Sequence, residues 1–406
     1  MTERYRWAIL GAGTFAQSSF SAVSVGLPAL APSLRSHYRL SLGETGVVLG
    51  SVGIGMLLTL LAWGLLADRI GERAVIALGL TSGGVAMAAT GRTGSYPALV
   101  GMLVVSGALG AGVNAASGRA VMSWFGAEER GLALGIRQAA VPVGGAVAAA
   151  ALPWLASAGG TKLAFEALGA GCIAGGVVAG VLMREAPARA LPHPAAGGRP
   201  PLRDARMWLL AGGSSLYLAA QIAILSFVVL FLHEHRGLST HAAAAVLATI
   251  NVLGIGARIG IGRWSDRAGA RLAPLRTIGL ALAVGTILTA VLVDAPLALL
   301  VPALIVAGVL GLSWNGLSFT AAAERAGLAR SGAALGFQQT MLGVLGAAVP
   351  PAFAVFVGAT SWRVAFAVSA AGPVLGVLLL RRVPEPTRSL SGGRRRGTSA
   401  IPPAAR

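Results

Sequence analysis

The stretch GLLADRIGER, residues 64–73, decides how the rest of the sequence is interpreted. It places a short charged loop, D-R-x-G, after an apolar run, and a counterpart, GRWSDRAGAR, stands at residues 262–271. The two stretches are 198 residues apart in a chain of 406 residues. A second pair, GLALGIRQ at 131–138 and GAALGFQQ at 332–339, matches at an offset of 201 residues. Matches in the same order in both halves indicate an internal repeat of about half the chain length.

The composition places this repeat in a membrane. Hydrophobic residues make up 55% of the chain and charged residues only 11%, whereas a soluble globular protein has about 25% charged residues. The hydrophobicity excludes a disordered chain, and the 58 Gly show no three-residue period of the collagen type. The single cysteine, Cys172, excludes a disulfide framework and a zinc-finger cluster. We therefore expect an integral membrane protein.

Twelve apolar runs are each long enough to cross the hydrocarbon layer of a bilayer as a helix. They divide into six and six around a polar, Pro-, Gly- and Arg-rich segment, which predicts an all-α membrane protein with two pseudo-symmetric six-helix halves. The runs are 7–30, 45–66, 74–90, 98–122, 132–154, 164–183, 207–232, 242–262, 276–293, 297–322, 332–357 and 364–380. The predicted units are an N-terminal half (1–183), a cytoplasmic linker (184–206), a C-terminal half (207–380) and a disordered cytoplasmic tail (381–406).

The charge distribution predicts the orientation. The chain has 32 Lys and Arg against 14 Asp and Glu, a net charge of +18, and most of the basic residues lie in the loops on the side of the two termini. Because cytoplasmic loops carry the excess of Lys and Arg, both termini are expected in the cytoplasm, with the protein in the cytoplasmic (inner) membrane. The same distribution argues against nucleic-acid binding, which needs a basic face on a soluble domain. The expected partners are the lipid bilayer and a small molecule, and we expect a monomer without cofactor or metal.

The motif G-x-x-x-D-R-x-G-x-R after the second run, formed by Gly64, Asp68, Arg69, Gly71 and Arg73, resembles the signature loop of the major facilitator superfamily. Its echo after the eighth run strengthens the resemblance, which covers nearly the whole chain. The resemblance implies two parallel six-helix halves, a substrate path lined by the first, fourth, seventh and tenth runs, and transport by alternating access.

The resemblance also implies a gate on the side of the termini. Asp68 is expected to face the amino end of the eleventh run, where the helix dipole and Arg330 attract a carboxylate. By the repeat, Asp266 is expected to face the start of the fifth run, with Arg130 in the matching role. The alternative is that both aspartates only cap their own loops. The candidate gating residues are Asp68, Arg69, Gly71, Arg73, Arg130, Asp266, Arg267 and Arg330.

Polar residues inside apolar runs are the candidates for substrate contact, because such groups are costly in a bilayer. Measured at 1.5 Å per residue, several of them lie about 13–15 Å deep, near the midplane of a ~30 Å core. The alternative is that they only form hydrogen bonds between helices. For the tryptophan in this set, stacking on a substrate and simple packing both stay open. The set is Gln17, Asn114, Tyr217, Gln221, Trp314 and Asn315.

Two arginines within the runs give a more specific prediction. Arg258 lies eight residues before Asp266, about 12 Å deep, with Asn251 on the same helix face. Its spacing is similar to that of an anion-contacting arginine in monocarboxylate and nitrate transporters, and its planar fork suits a carboxylate or nitrate. Arg137, with its repeat counterpart Gln338, is a second candidate. Snorkelling to the membrane surface is the alternative for both arginines, and for Arg137 snorkelling or bracing of Asp266 is favoured over ligand binding.

The carboxylates complete the functional prediction. All 14 lie in loops or near the ends of runs, so a path with arginine and no carboxylate favours a small organic or inorganic anion. Secondary transport of such an anion is the expected function, and efflux of a drug or other hydrophobic compound is the alternative. A membrane sensor is a remote alternative, and an enzyme is not expected because no nucleophile–base pair is evident. The cluster His233, His235 and His241 is expected to be an outer surface loop rather than a metal or pH-sensing site.

Overall fold

The computed structural model describes residues 2–125, 129–184, 203–327 and 330–385, and within them the chain is helical without a strand. Short 3₁₀ and π segments at Leu27–Leu30 and Phe231–His235 join the helices on one side of the bundle. The predicted all-α fold is confirmed. The N-terminal half contains α1 (Thr2–Ser24), α2 (Ala31–Tyr38), α3 (Leu42–Ile70), α4 (Glu72–Thr90), α5 (Tyr96–Gly110), α6 (Gly112–Trp124) and α7 (Arg130–Leu182). The C-terminal half contains α8 (Ala205–Ser215), α9 (Tyr217–Leu225), α10 (Val228–Leu230), α11 (Thr240–Ala268), α12 (Leu272–Val291), α13 (Leu297–Ser313), α14 (Asn315–Ala326), α15 (Ser331–Ala359), α16 (Trp362–Ser369) and α17 (Ala371–Arg381).

Ten segments of the described chain are long and apolar enough to cross a membrane. One of them, Gly135–Leu182, has 48 residues and contains non-helical backbone at Gly159 and Gly160, so it consists of two helices joined by a sharp turn. Helix α1 is not among the ten, although it packs along α7 inside the bundle. The predicted count of twelve is therefore only partly supported. Most of the predicted linker and tail lies outside the described residues.

Glycines at positive φ make the sharp turns of the repeated loop motif. Gly71 (φ 85°) separates α3 from α4, and Gly269 (φ 64°), 198 residues later, ends α11 before α12. Only glycine adopts this backbone region without a steric penalty. The glycine of the motif is therefore required by a tight reversal between two antiparallel helices.

Three spans that carry predicted site residues are interrupted near their middle. The break between α5 and α6 is at Ala111, that between α8 and α9 at Leu216, and that between α13 and α14 at Trp314. Predicted site residues stand at or just after each break, at Asn114, Tyr217 and Asn315. The residue at each interruption keeps right-handed helical φ and ψ, so the helical hydrogen bonding is interrupted locally while the backbone continues in the same sense.

The two halves meet at two helix crossings, α3 with α15 and α7 with α11. At the first crossing the contact is close because α3 presents glycines: a Cβ at Gly46 would lie 2.7 Å from Pro350 O, and one at Gly50 would lie 3.1 Å from Ala347 O. Small residues allow such an approach of two backbones inside a membrane.

The contacts between the halves are concentrated on one side. We call this the far side; it holds Leu27–Leu30 and Phe231–His235, where Arg35 forms an ion pair with Glu234 across the halves. The opposite side, which holds the start of α1 and the end of α17, is called the terminus side. Toward it the close contacts of α3 with α15 end at Leu57 and Gly343, and a Cβ at Gly64 or Gly336, farther along the same pair, would meet nothing within 4 Å. Among the described residues of α3 and α15, the halves are therefore in contact toward the far side and separated toward the terminus side.

Candidate functional site

The N-terminal half holds a hydrogen-bonded cluster that joins three helices. Gln17 of α1 donates from Nε2 to Asn114 Oδ1 of α6 at 3.0 Å. Arg137 of α7 donates from Nη2 to Gln17 Oε1 at 3.2 Å and from Nε to Ser117 Oγ at 2.9 Å. Gln17 and Ser117 are buried, and Arg137 is half-buried. The structure thus brings three predicted site residues together and adds Ser117, which the sequence analysis missed.

Arg258 connects the halves at the same place. Its Nη1 donates to the backbone oxygen of Gln138 in α7 at 2.8 Å, and its Nε donates to the backbone oxygen of Leu312 in α13 at 2.7 Å. Gln138 also accepts from Arg137, whose Nη1 lies 3.1 Å from its Oε1. The two arginines therefore meet at one glutamine, one on its side chain and the other on its backbone.

The hydrogen-bond partners of both guanidinium groups are neutral oxygens. Within the described residues, the ion pairs of the carboxylates involve other cations, for example Arg6 with Glu129 and Arg325 with Asp204. Hydrogen bonds to neutral groups satisfy the donors of a guanidinium but leave its charge in place. This region is consequently positive and surrounded by apolar helices, where the effective dielectric constant is low.

The C-terminal half holds a matching cluster without a cation. Gln338 of α15 is fully buried and donates from Nε2 to Ser214 Oγ at 2.8 Å and to Ser318 Oγ at 2.9 Å. The two serine oxygens are themselves 2.8 Å apart. Gln338 is therefore placed inside its own half, and its predicted substrate contact gains no support from this position.

A second C-terminal group surrounds Gln221. Its Oε1 accepts from Trp314 Nε1 at 3.1 Å and from Asn315 Nδ2 at 3.5 Å. Trp314 and Tyr217 are completely buried and pack edge to face with ring centroids 5.5 Å apart. Tyr217 OH donates to Leu275 O, so both rings serve helix packing. The half-buried Gln221 and Asn315 keep the stronger case for substrate contact, and that role stays a prediction.

Asn251 lies at the α7–α11 crossing. It is fully buried, and its Nδ2 donates to Leu247 O one turn earlier. A Cβ at Gly145 would lie 2.6 Å from Asn251 Oδ1, so the amide fills the space left by the glycine. The position fits a contact between the halves more directly than a contact with substrate.

The missed serines carried a signal in the repeat. Ser117 and Ser318 match at the offset of 201 residues, as do Arg137 and Gln338. A serine hydroxyl can satisfy itself on its own helix, as Ser214 does on Leu210 O. A serine in an apolar run therefore does not indicate that it bonds a residue on another helix. Only the match of Ser117 with Ser318 in the repeat indicated a role for these serines.

The predicted gating residues lie on the terminus side, and the contacts predicted for the gate stay a prediction. Asp266 pairs with Arg271 at 2.7 Å. Arg73 donates to Gly180 O at 2.7 Å, and the exposed Asp68 also has an interaction partner. The side chain of Arg130 lies outside the described residues. Arg69 and Arg267 are exposed, Arg330 is half-buried at the start of α15, and Gly71 makes the turn described above.

The registers of the two crossings nevertheless match the predicted gate. Leu57 of α3 lies against Gly343 of α15, and the two helices are antiparallel. Eleven residues farther toward the terminus side, the same register places Asp68 opposite Gly332. In the other crossing Arg258 meets Gln138, and eight residues farther Asp266 falls opposite residue 130. Closure of the terminus side with these registers would bring each aspartate to the amino end of a helix, and the gate stays a prediction.

The outer histidines form local contacts. His233 Nδ1 lies 2.7 Å from Leu238 O, and His235 Nε2 lies 3.1 Å from Asp294 Oδ1. Hydrogen bonds from Arg363 and His235 hold the pKa of Asp294 below its usual value. Among the residues described, no group of three or more metal-ligating side chains is found.

Comparison with known proteins decides the family. Residues 10–351 match the family model of the Major Facilitator Superfamily. The chain belongs to this superfamily. It is therefore a membrane transporter and not an enzyme, as the sequence predicted.

Curated relatives agree with this assignment. The transporter is 32% identical over 377 residues to an uncharacterized MFS-type transporter of Mycobacterium tuberculosis, which covers 92% of this chain and 84% of the relative. A shorter match, 30% identical over 146 residues, covers 36% of this chain and 34% of a probable sulfoacetate transporter of Cupriavidus necator.

Solved structures share the fold of this transporter. A D-xylose–proton symporter aligns with a TM-score of 0.76 and 16% identity, over 94% of this chain and 98% of its own. A bacterial homolog of the human lysosomal transporter Spinster, in an inward-facing and unoccupied conformation, aligns with a TM-score of 0.72 and 18% identity, over 94% and 96%. At these identities the likeness concerns the fold alone.

Proposed function

We propose that this transporter carries a small organic or inorganic anion by alternating access, and that Arg258 and Arg137 bind it. One observation carries the proposal: two half-buried guanidinium groups meet at Gln138, and their hydrogen bonds go to neutral oxygens. A positive charge in an apolar bundle is costly unless a water, a partner or an anionic ligand compensates it. An anion between the two arginines would supply the missing negative charge.

The geometry of the guanidinium group favours particular anions. Its planar set of donors matches the two oxygens of a carboxylate, and equally the oxygens of a sulfonate or a nitrate. The probable sulfoacetate transporter that matches part of this chain is named for an anion of this kind. Sulfoacetate, which carries both a carboxylate and a sulfonate, is therefore the first probe to test, with acetate and nitrate as simpler alternatives.

The orientation is part of the same proposal. The excess of Arg on the terminus side predicts that this side is cytoplasmic, in the cytoplasmic membrane of a bacterial-type cell. The separated terminus side would then face the cytoplasm, and the described arrangement would be the inward-open one. Each chain is expected to work as a monomer, since both arginines and Gln138 belong to the same chain.

The proposal is tested by counterflow in proteoliposomes. Purified protein is reconstituted, loaded with unlabelled sulfoacetate, acetate or nitrate, and assayed for uptake of the labelled compound. Arg258→Lys should reduce uptake by about tenfold or more, because one ammonium cannot replace two directed donors. Arg263→Lys is the matched control, since Arg263 is an exposed residue of the same helix.

Two results would count against the proposal. Counterflow of none of the three anions, together with transport of a hydrophobic cation such as ethidium, would favour the efflux alternative. Equal anion uptake by the wild type and Arg258→Lys would remove Arg258 from the site.

A further inference from the structure

Pro142 lies inside α7, and the backbone oxygen one turn earlier therefore loses its helical hydrogen-bond donor. In a regular helix the N–H of residue 142 would donate to the backbone oxygen of Gln138. Proline has no N–H, so this helical bond is absent and the oxygen of Gln138 is left for another donor. Arg258 Nη1 of the other half occupies it at 2.8 Å.

The second hydrogen bond of Arg258 also goes to a backbone oxygen that lacks a regular helical donor. Its Nε donates to Leu312 O at 2.7 Å, and Leu312 stands next to the end of α13, just before the break at Trp314. The last carbonyl groups of a helix lack helical donors. One guanidinium therefore holds two backbone oxygens that lack regular helical partners, one in each half of the transporter.

We propose that Pro142 is a positioning residue for Arg258, because it leaves Gln138 O free to accept a hydrogen bond from the guanidinium. This hydrogen bond, which we call the latch, holds Arg258 between the halves while the terminus side is open. A substrate anion breaks the latch by binding the guanidinium in place of Gln138 O. The release step rests on the proposed function. An anion forms stronger hydrogen bonds with a guanidinium than a neutral carbonyl does. A ligand that binds better when the latch is broken shifts the population away from the open state.

The latch is tested by cross-linking across the terminus side. Gly64 of α3 and Gly336 of α15 fall opposite each other in the register of their crossing, and a Cβ at either position meets nothing within 4 Å. Cysteines at both sites, in a Cys172→Ser background, should be joined by copper–phenanthroline only when the terminus side closes. Without anion, Pro142→Ala restores the N–H and should accelerate cross-linking by roughly three- to tenfold.

Matched variants separate the latch from a general loosening of α7. Pro153→Ala changes the other proline of the same helix and should leave the rate at the wild-type value. In an Arg258→Gln background, Pro142→Ala should add nothing further, since both changes act on one bond. Equal acceleration by both proline variants, or a full Pro142 effect without Arg258, would overturn the latch. Pro142→Gly restores the same N–H and replaces Pro142→Ala if the latter is poorly expressed.

A second arm tests the anion separately. Sulfoacetate, added to the wild-type cysteine pair, should accelerate cross-linking, with little further effect on Pro142→Ala. If Pro142→Ala accelerates cross-linking while sulfoacetate, acetate and nitrate leave the wild-type rate unchanged, the latch stands and its release by these anions is refuted.

Discussion

The two halves build the same polar cluster with one decisive difference. In the N-terminal half Gln17, Ser117 and Arg137 are joined, and in the C-terminal half Ser214, Ser318 and Gln338 are joined. The serines of α6 and α14 match in the repeat, as do the residues of α7 and α15. Where one half has an arginine, the other has a neutral amide.

In the proposed function, this difference separates anion binding in one half from helix packing in the other. The C-terminal cluster is closed within its half, with all three members buried. The N-terminal cluster continues through Gln138 to Arg258 of the other half. A shared scaffold can thus serve stability in one half and substrate binding in the other, because only a cation leaves charge to be compensated.

The largest effect should come from Arg137→Gln, which makes the N-terminal cluster resemble the C-terminal one. A glutamine can keep hydrogen bonds to Gln17 and Ser117 but carries no charge. We expect anion uptake to fall by about tenfold or more at an unchanged level of reconstituted protein. The measurement is initial sulfoacetate uptake per milligram of protein. Wild-type uptake would mean that Arg137 only braces the helices.

The next effect should come from Gln338→Leu, which removes the amide from the C-terminal cluster. Two hydrogen bonds to the serines are lost, although the serines can still bond each other. We expect a loss of about 0.5–1.5 kcal/mol in stability, seen as a lower melting temperature in detergent, with little change in the apparent KM for anion. Gln339→Leu, the half-buried neighbour, is the control. A changed KM at full stability would move Gln338 into the binding site.

A comparable effect is expected at the gate, where both halves carry the repeated loop motif. Arg271 pairs with Asp266, and its repeat counterpart Arg73 donates to Gly180 O. If Asp68 meets the amino end of α15 on closure, Asp68→Asn should weaken the closed state by a few tenths to about 2 kcal/mol. The Gly64/Gly336 cysteine pair should then cross-link more slowly. An unchanged rate would exclude this role for Asp68.

The smallest effect concerns Asp294, on the far side and outside both clusters. Arg363 and His235 lower its pKa in the folded protein, so it contributes stability above the unfolded pKa of about 3.9 that is lost as the pH falls through the lowered value. Asp294→Asn should slightly lower the melting temperature at pH 7, and the difference should shrink toward pH 3. A difference that is independent of pH would point to packing instead of charge.

Several features follow from local sequence and were predictable. Apolar runs require helices in a bilayer because each backbone group must find its partner within its own segment. The loop motif predicted short charged loops at residues 64–73 and 262–271, and Gly71 and Gly269 make the turns there. Arg258 and Arg137 were identifiable because charge inside an apolar run is costly wherever the run lies. These conclusions depend on composition and spacing alone.

The direction in which a side chain points and the residue that it contacts were decided only by the tertiary structure. Trp314 lies at a depth suited to substrate contact, yet it packs on Tyr217 and donates to Gln221 within its own half. Nothing in the residues around Pro142 indicates that Arg258, more than 100 positions away, bonds Gln138 O. A missing N–H is visible in the sequence, but the donor that replaces it is fixed by how the two halves cross.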